Sequence, residues 1–517
     1  MRLPRPARLL AGRAARAALD GLDERYRLFG RVRRESSRVT PSHHSFFWGR
    51  LAAVSFAVLL LSGIVLSLFF VPDKADVVYH GPYGNLRGAH VSRAYKSVLD
   101  ITFSVRGGLL LRQVHHWAAL LFLMSMTLHM ARTFFTGAFR KPRETTWLTG
   151  AVMLIVALVE GYTGYAMLDD LLSGQSVRIF SGVLLSIPLF GTWLHWMVFG
   201  GEYEGDLWLP RFFFGHVFVL PAVLGTLIAV HLGLVWYQRL THMPGPGARE
   251  HTIVGFRAVR HFGGRTLAYA ACAVGVMTIM GGILQIEPVW LWGPYSPAEV
   301  STFVQPDWYL GYVIGALKLF PAWTIHLGPY TVPAPFWPAA VMPLGMLFLL
   351  AVYPYAERVT TKDHGLRNLL QRPRDAPVRT ALGVFAVTFY LVLMVCGADD
   401  FLASMFEVPF EWIVWGGRVG VFVVPLTAAV IAYRVCAGLR RRDADALEHG
   451  VPTGLLEERP DGTFTELRVP PGGVDEEGRP IPLAYGGVPV TRRVPPGPER
   501  RTGGNSASGT QGGHDRG

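Results

Sequence analysis

Cysteine is nearly missing. Cys272, Cys396 and Cys436 are the whole complement in 517 residues, and all three fall inside apolar runs, which excludes a disulfide framework. No C-x-x-C-H occurs, so a c-type haem has no attachment point, and no group of cysteines could hold an iron–sulfur cluster. Charge is sparse, and acidic residues are the scarcer sign: 37 Asp and Glu against 49 Lys and Arg leave a formal net charge of +12. The basic excess is confined to alternate loops, so it argues for a membrane surface and its anionic lipid, not for nucleic acid. No internal repeat is present. No small-residue cleavage site follows the first apolar run, so that run is not a signal peptide. A transporter would explain long spans carrying buried charge, but the symmetric pairs of Gly/Pro-broken helices it calls for are not found.

What the chain has in quantity is long apolar runs, and its mean hydropathy is +0.30. Eight exceed the roughly 18 residues needed to cross about 30 Å of hydrocarbon. They are 47–71, 108–134, 147–168, 212–237, 267–286, 336–354, 380–397 and 412–437. The fold class is therefore an all-α, polytopic membrane protein with eight transmembrane helices. Basic loops stay cytoplasmic. Eleven Arg precede residue 41, "RKPRE" lies at 140–144, and further clusters lie at 239–265, at 358–379 and after the eighth span. The alternate loops are acidic or mixed, as in "GGEYEGD" at 200–206. Both termini are expected in the cytoplasm. The domain division is a basic arm (1–46), a four-helix bundle (47–240), a second helical part (241–440) and a Gly/Pro-rich tail (441–517) expected to be disordered.

Inside the second span stands "RQVHHWAALLFLMSMTLHMAR", an apolar segment with costly ionisable groups, which in a membrane mark function. His115 and His129 are fourteen residues apart there, and His216 and His231 on the fourth span are fifteen apart. At about 100° per residue those intervals leave roughly −40° and +60°, so each pair shares one broad helix face, with its members about 21–23 Å apart along the axis. The second and fourth spans run the same way. His115 and His216 thus fall at one depth near the outer surface, and His129 and His231 at a second depth near the inner one.

Two layers of facing imidazoles suit two haems, each with histidine on both sides of the iron as its metal ligands. Arg112 and Arg132 each sit three residues from a histidine, placed to pair with haem propionates. Gly49 and Gly63 on the first span, and Gly150 and Gly164 on the third, are again fourteen apart. With those spans running oppositely, Gly49 and Gly150 join the inner layer and Gly63 and Gly164 the outer. A residue without a side chain lets a flat macrocycle approach the backbone. His116 is read as a bystander, although it and His115 are interchangeable in this assignment.

With these residues in place, the chain resembles the cytochrome b subunit of quinol–cytochrome c reductase, the cytochrome bc complex, over roughly residues 40–440. "QPDWYLGY" at 305–312 looks like the family's Pro-Glu-Trp-Tyr signature, with Asp307 in the Glu position. "RAYKSVLDITFSVRGGLLLRQ", "GAFRKPRE", "DDLLSG" and "GGILQIEPVWLWGPYSPAEV" look like the actinobacterial, menaquinol-using branch. The resemblance implies an oxidoreductase subunit with two haem b groups, low-potential at His115/His216 and high-potential at His129/His231. Menaquinol would be oxidised at the outer face, with Asp307 and Tyr309 lining the site and Tyr165 nearby. It also implies a Rieske iron–sulfur subunit and a cytochrome c subunit as partners, often a terminal oxidase, a homodimeric complex, and the bacterial plasma membrane as location.

Some positions depart from the pattern. Met167-Leu168 stands where relatives usually have Leu-Pro, and Val313-Ile314 where they often have Thr-Glu. A specialised paralogue with an altered quinol site is therefore one alternative. Another is a haem b membrane anchor relaying electrons between a quinone and a periplasmic partner, which explains the histidines but not "PDWY". For an inner quinone site, Arg239, His242 and His251 are the candidates.

Overall fold

The computed structural model describes residues 21–469, apart from 22, 26, 42, 245–247, 249, 259–262 and 302–306. Among the described residues eight helices are long and apolar enough to cross a membrane: His44–Ser67, Gly108–Phe135, Glu144–Ala166, Trp208–Gln238, Gly264–Ile283, Trp337–Thr361, Pro377–Gly397 and Phe410–His449. Each expected span has its helix, and the differences are at the ends. The first span stops at Ser67, short of 71, because Val71 precedes Pro72 and the residue before proline is pushed out of the helical region. The eighth runs past 437 to His449, since Ala, Leu and Arg after the apolar run are all good helix formers.

The first four spans pack first on second, second on third and third on fourth. The fifth lies against the first and second, the sixth against the third, and the seventh against the second and the short helix Gly311–Leu319. The connecting segments form two sets, each bonded within itself. In one set, Arg112 on the second span donates to the Glu287 carbonyl (2.9 Å), Tyr95 donates to the Val289 carbonyl (2.9 Å) and the Leu171 N–H reaches the Gly293 carbonyl (3.0 Å). Ser92 caps the helix Arg93–Phe103, and Asp170 with Ser173 forms a capping box on Leu171–Ser186. In the other set, Val39–Thr40 pairs antiparallel with Phe256–Arg257, and Arg143 donates to the carbonyls of Arg239 and Arg367. The segments of the two sets alternate along the chain.

The chain divides into two compact units, residues 1–441 and 442–517. In the second, the described part departs from the expectation of disorder from 441 onward. The helix persists to His449, and Val451–Glu458 pairs antiparallel with Phe464–Val469. The local sequence explains the turn: Asp461-Gly462, with Gly462 at φ 80°, is a strong turn signal, and the β-formers Thr463, Phe464 and Thr465 follow it. Residues 470–517 lie outside the described residues, as do the first twenty of the basic arm.

Candidate functional site

Each histidine is set by a different strength of local constraint. His216 sits in a five-residue π-turn, Gly215–Val219, that interrupts the fourth span, a distortion common at functional positions. The rings of His115 and His216 face each other with centroids 6.3 Å apart and planes at 69°, and those of His129 and His231 stand 6.5 Å apart at 74°. A metal bonded to an imidazole nitrogen at about 2 Å on either side would separate the centroids by about 6.4 Å. Both gaps have the width for one iron.

The outward nitrogens decide the tautomers. The Ser62 hydroxyl donates to the Val58 carbonyl (2.6 Å), so its oxygen accepts from His115 Nδ1 at 2.9 Å. Thr163 donates to the Glu160 carbonyl (2.9 Å), and His216 Nδ1 donates to that carbonyl (3.0 Å) and to Thr163 Oγ1 (3.3 Å). Thr149 donates to the Thr146 carbonyl (2.9 Å) and accepts from His231 Nδ1 at 3.2 Å. With the proton on Nδ1, Nε2 keeps its lone pair on all three rings, the arrangement a metal-binding histidine needs. His129 Nδ1 is buried and finds no hydrogen-bond partner.

The glycines fall in the layers expected. A Cβ on Gly164 would stand 2.6 Å from His216 Cε1, on Gly63 3.2 Å from His115 Cε1, and on Gly49 3.2 Å from His129 Nδ1. At Gly150 the distance to His231 is an ordinary 3.7 Å. The three hydroxyl residues were not singled out from sequence, yet a signal exists: Ser62, Thr149 and Thr163 each immediately precede one of the four glycines, and only Gly49 follows a residue without a hydroxyl, Trp48.

The two arginines are less alike. Arg112 is 7% exposed and its Nε has no hydrogen-bond partner, so that N–H is open to an acidic group beside His115. Arg132 donates from Nε to Ser45 (3.2 Å), with its guanidinium 4.6 Å from the Phe46 ring centroid.

Asp307, Tyr309 and Tyr165 come together near the His115 end. The Tyr309 hydroxyl donates to Asp307 Oδ2 (3.1 Å), and His116 Nε2 lies 2.9 Å from Oδ1. His116, read as a bystander, is thus the aspartate's partner. Its position beside a ligand histidine concealed this role. Tyr309 is 2% exposed and its hydroxyl end fits against Gly161, where a Cβ would come within 2.6 Å. Burial first, then the charge of Asp307, pushes the Tyr309 phenol well above its ordinary range, so it stays a donor. The Tyr165 hydroxyl is buried without a hydrogen-bond partner, within reach of the charges of Glu287, Asp170 and Asp307. A cavity of about 880 Å³ opens at Ile314, lined also by Gln175, Ile179, Lys318 and Phe410, within the size range of small-molecule sites.

At the other end, the Arg239 carbonyl accepts from Arg143 (3.1 Å), His242 is buried with its backbone N–H on the Asn368 carbonyl (3.0 Å), and His251 is exposed. The structure does not bring these three into one group comparable to that around Asp307.

A membrane bundle with two facing pairs of imidazoles, each pair spaced for an iron, is the arrangement a haem-binding membrane cytochrome needs. Comparison with known proteins narrows the class. The family model for cytochrome b(N-terminal)/b6/petB matches residues 120–294. The cytochrome bc1 complex cytochrome b subunit of Mycobacterium leprae is 48% identical, over 93% of this chain and 87% of its own length. That of Corynebacterium efficiens is 46% identical over 92% and 88%, and that of Streptomyces coelicolor 41% over 88% and 84%. A chain of a hyperthermophilic respiratory Complex III superposes with a TM-score of 0.60 at 22% identity, over 81% of this chain and 99% of that one, a likeness of fold. The chain belongs to the family of cytochrome bc1 complex cytochrome b subunits.

Proposed function

We propose that this chain is the di-haem cytochrome b subunit of a respiratory quinol–cytochrome c reductase in the bacterial plasma membrane, with both termini cytoplasmic. The ligands are His115 with His216 for the outer, low-potential haem b and His129 with His231 for the inner, high-potential one. The observation that carries the reading is the pair of ring separations, 6.3 and 6.5 Å, in layers whose histidines hold the Nδ1 proton outward in three cases of four. Two bound haems would supply one-electron transfer from the outer face to an inner quinone site. Moving one charge that way works with or against a membrane potential worth about 2.3 kcal/mol per 100 mV.

The protein's own residues handle the substrate and its protons. Menaquinol is oxidised at Asp307. Asp307 is held at both oxygens, by Tyr309 and His116, so its carboxylate is aimed before substrate arrives and accepts a quinol proton without rearranging. Arg112 offers its open Nε–H to a haem propionate. A Rieske subunit takes one electron and a cytochrome c subunit follows it, in a homodimeric complex that also engages a terminal oxidase; the absence of cysteine motifs in this chain leaves those centres to partners. The test is quinol-to-cytochrome c electron transfer by the purified complex, with outer-site inhibitors, alongside a reduced-minus-oxidised spectrum. Haem-free protein would overturn the redox reading. Haem without quinol oxidation would favour a relay anchor.

A further inference from the structure

The plane midway between the two histidine layers is marked by the same spacing that sets the layers. Phe122 stands seven residues from both His115 and His129, Phe56 seven from both Gly49 and Gly63, and Ala157 seven from both Gly150 and Gly164. Leu224 stands eight from His216 and seven from His231. Seven residues turn a helix by about 700°, roughly 20° short of two full turns, so each residue shares the face that carries its span's ring or glycine. The structure brings the four together. Phe122, Ala157 and Leu224 belong to one buried cluster, Phe56 packs against it, and the Phe56 and Phe122 rings lie 5.7 Å apart, tilted by 35°. Tyr309, whose hydroxyl holds Asp307, belongs to the same cluster with Leu123 beside it.

Ionisable groups are distributed unevenly about this plane. On its outer side, short of the outer layer, the spans carry His116, Glu160 and Tyr162. Glu160 comes nearest, three residues from Ala157, with Oε1 3.4 Å from His216 Nδ1 and Oε2 buried without a hydrogen-bond partner. On its inner side, residues 51–55, 123–128, 151–156 and 225–230 include no Asp, Glu, Lys, Arg, His or Tyr. That apolar stretch is about 10 Å deep, at about 1.5 Å per residue. Its hydroxyls are scattered. Ser125 donates to the Leu121 carbonyl (2.6 Å), Thr226 donates to the Ala222 carbonyl (2.8 Å), and Ser55 Oγ is buried without a partner. A buried water needs two to four polar partners, so hydroxyls placed this way do not support a file of water.

Electrons and protons have different requirements here. An electron tunnels through packed apolar protein, whereas a proton needs water or ionisable groups to carry it, and an unpaired charge in an apolar medium is very costly. We propose that the layer of Phe56, Phe122, Ala157 and Leu224 is a proton-tight septum. It confines the protons handled around Asp307 to the outer half of the bundle while leaving the bundle open to electron transfer. This assignment deepens the reading of the two layers as haem sites and rests on it. It also gives the midplane rings a task that ligation does not: a proton following the electron inward would cancel the charge movement that works against the membrane potential.

The test measures passive proton entry, without turnover, into phosphatidylcholine vesicles holding the purified complex and a trapped pH-sensitive dye, under an imposed potassium diffusion potential. Haem content is checked for each variant. Phe56→Ser combined with Phe122→Ser opens a polar cavity that holds water. It is expected to raise proton entry roughly tenfold or more, because a hydrated path removes most of the cost of moving a charge through apolar protein. Phe56→Leu combined with Phe122→Leu keeps the layer apolar and should leave entry at the wild-type level. So should Phe218→Ser, on an exposed face of the fourth span. Leu224→Asn, a single change, should raise entry by less than the serine pair. A serine pair that keeps both haems and stays as tight as wild type overturns the septum. So does a leucine pair, or Phe218→Ser, that leaks as much as the serine pair. If the serine pair loses haem, Leu224→Asn decides: faster entry with both haems bound supports the septum, and wild-type tightness or loss of haem overturns it, leaving the layer as packing alone. A wild-type complex without haem overturns the two-haem reading instead, whatever its proton entry.

Discussion

The two histidine layers are built from the same parts and finished differently. At His115 and His216 both outward nitrogens are bonded to acceptors, both neighbouring glycines are needed for clearance, and a π-turn re-aims one ring. At His129 and His231 only one outward nitrogen is bonded, and only one glycine is tight. A bonded N–H makes the opposite ring nitrogen a stronger donor. Stronger donors favour ferric iron, so the first layer should hold the lower potential. The assignment of low potential to His115/His216, drawn first from resemblance, thereby gains an argument from the protein's own hydrogen bonds.

Removing a ligand tests the comparison most severely. His129→Ala or His231→Ala should abolish one haem signal while the other remains, read in reduced-minus-oxidised spectra. If His115→Ala and His129→Ala instead behaved alike and His231→Ala differed, the pairing would run along a helix and not across the bundle, and the two layers would not exist as units.

Next in size is the proposed quinol site, which adjoins the His115 end through His116. Asp307→Asn should slow quinol oxidation by roughly 10²–10⁴-fold, the range for losing a general base. Both haems should stay bound, measured on the same preparation. Adding Ile314→Glu to that variant should recover part of the rate if the cavity that Ile314 lines is where quinol binds. An Asn variant with near-normal turnover would rule out Asp307 as the principal acceptor.

The hydroxyls sharpen the contrast itself. Ser62→Ala should weaken retention of the outer haem by about 10–100-fold, the usual cost of losing a ligand's hydrogen-bond partner, and raise its midpoint potential; Thr163→Val should do less, because His216 keeps its bond to the Glu160 carbonyl. Thr149→Val should do the same to the inner haem. Trp48→Ala should not weaken the His129 ligand in this way, since no bond to its outward nitrogen is there to lose. Equal shifts in both layers from any single substitution would dissolve the distinction.

Much of this was legible in the sequence, and the reason is periodicity. Eight apolar runs and two intervals of fourteen and fifteen residues suffice to set the helices and the layers, because a membrane helix has fixed rise and turn. What escaped had no period. His116 looked redundant beside His115, and its bond to Asp307 joins residues 191 positions apart. The hydroxyls could have been found, since each stands one residue before a glycine, but only knowledge that those glycines face histidine rings gives that adjacency a meaning.

The smallest effect is expected at the C-terminal end. Residues 451–468 are exposed along their whole length, so the hairpin buries no core of its own, and Arg468 meets Asp445 (3.0 Å) only at the surface. An isolated two-stranded hairpin is marginal in water, and ordering it costs conformational entropy with little apolar burial in return. Truncation after Asp443 should therefore leave both haem signals and the quinol-oxidation rate unchanged, measured per haem in membranes. The result also bears on the two layers. If the tail served the His129/His231 layer, which has the poorer set of ring partners, its loss would lower that haem alone and leave His115/His216 intact. The asymmetry between the layers would then come from outside the bundle, and the hydroxyl–glycine pairs would no longer account for it.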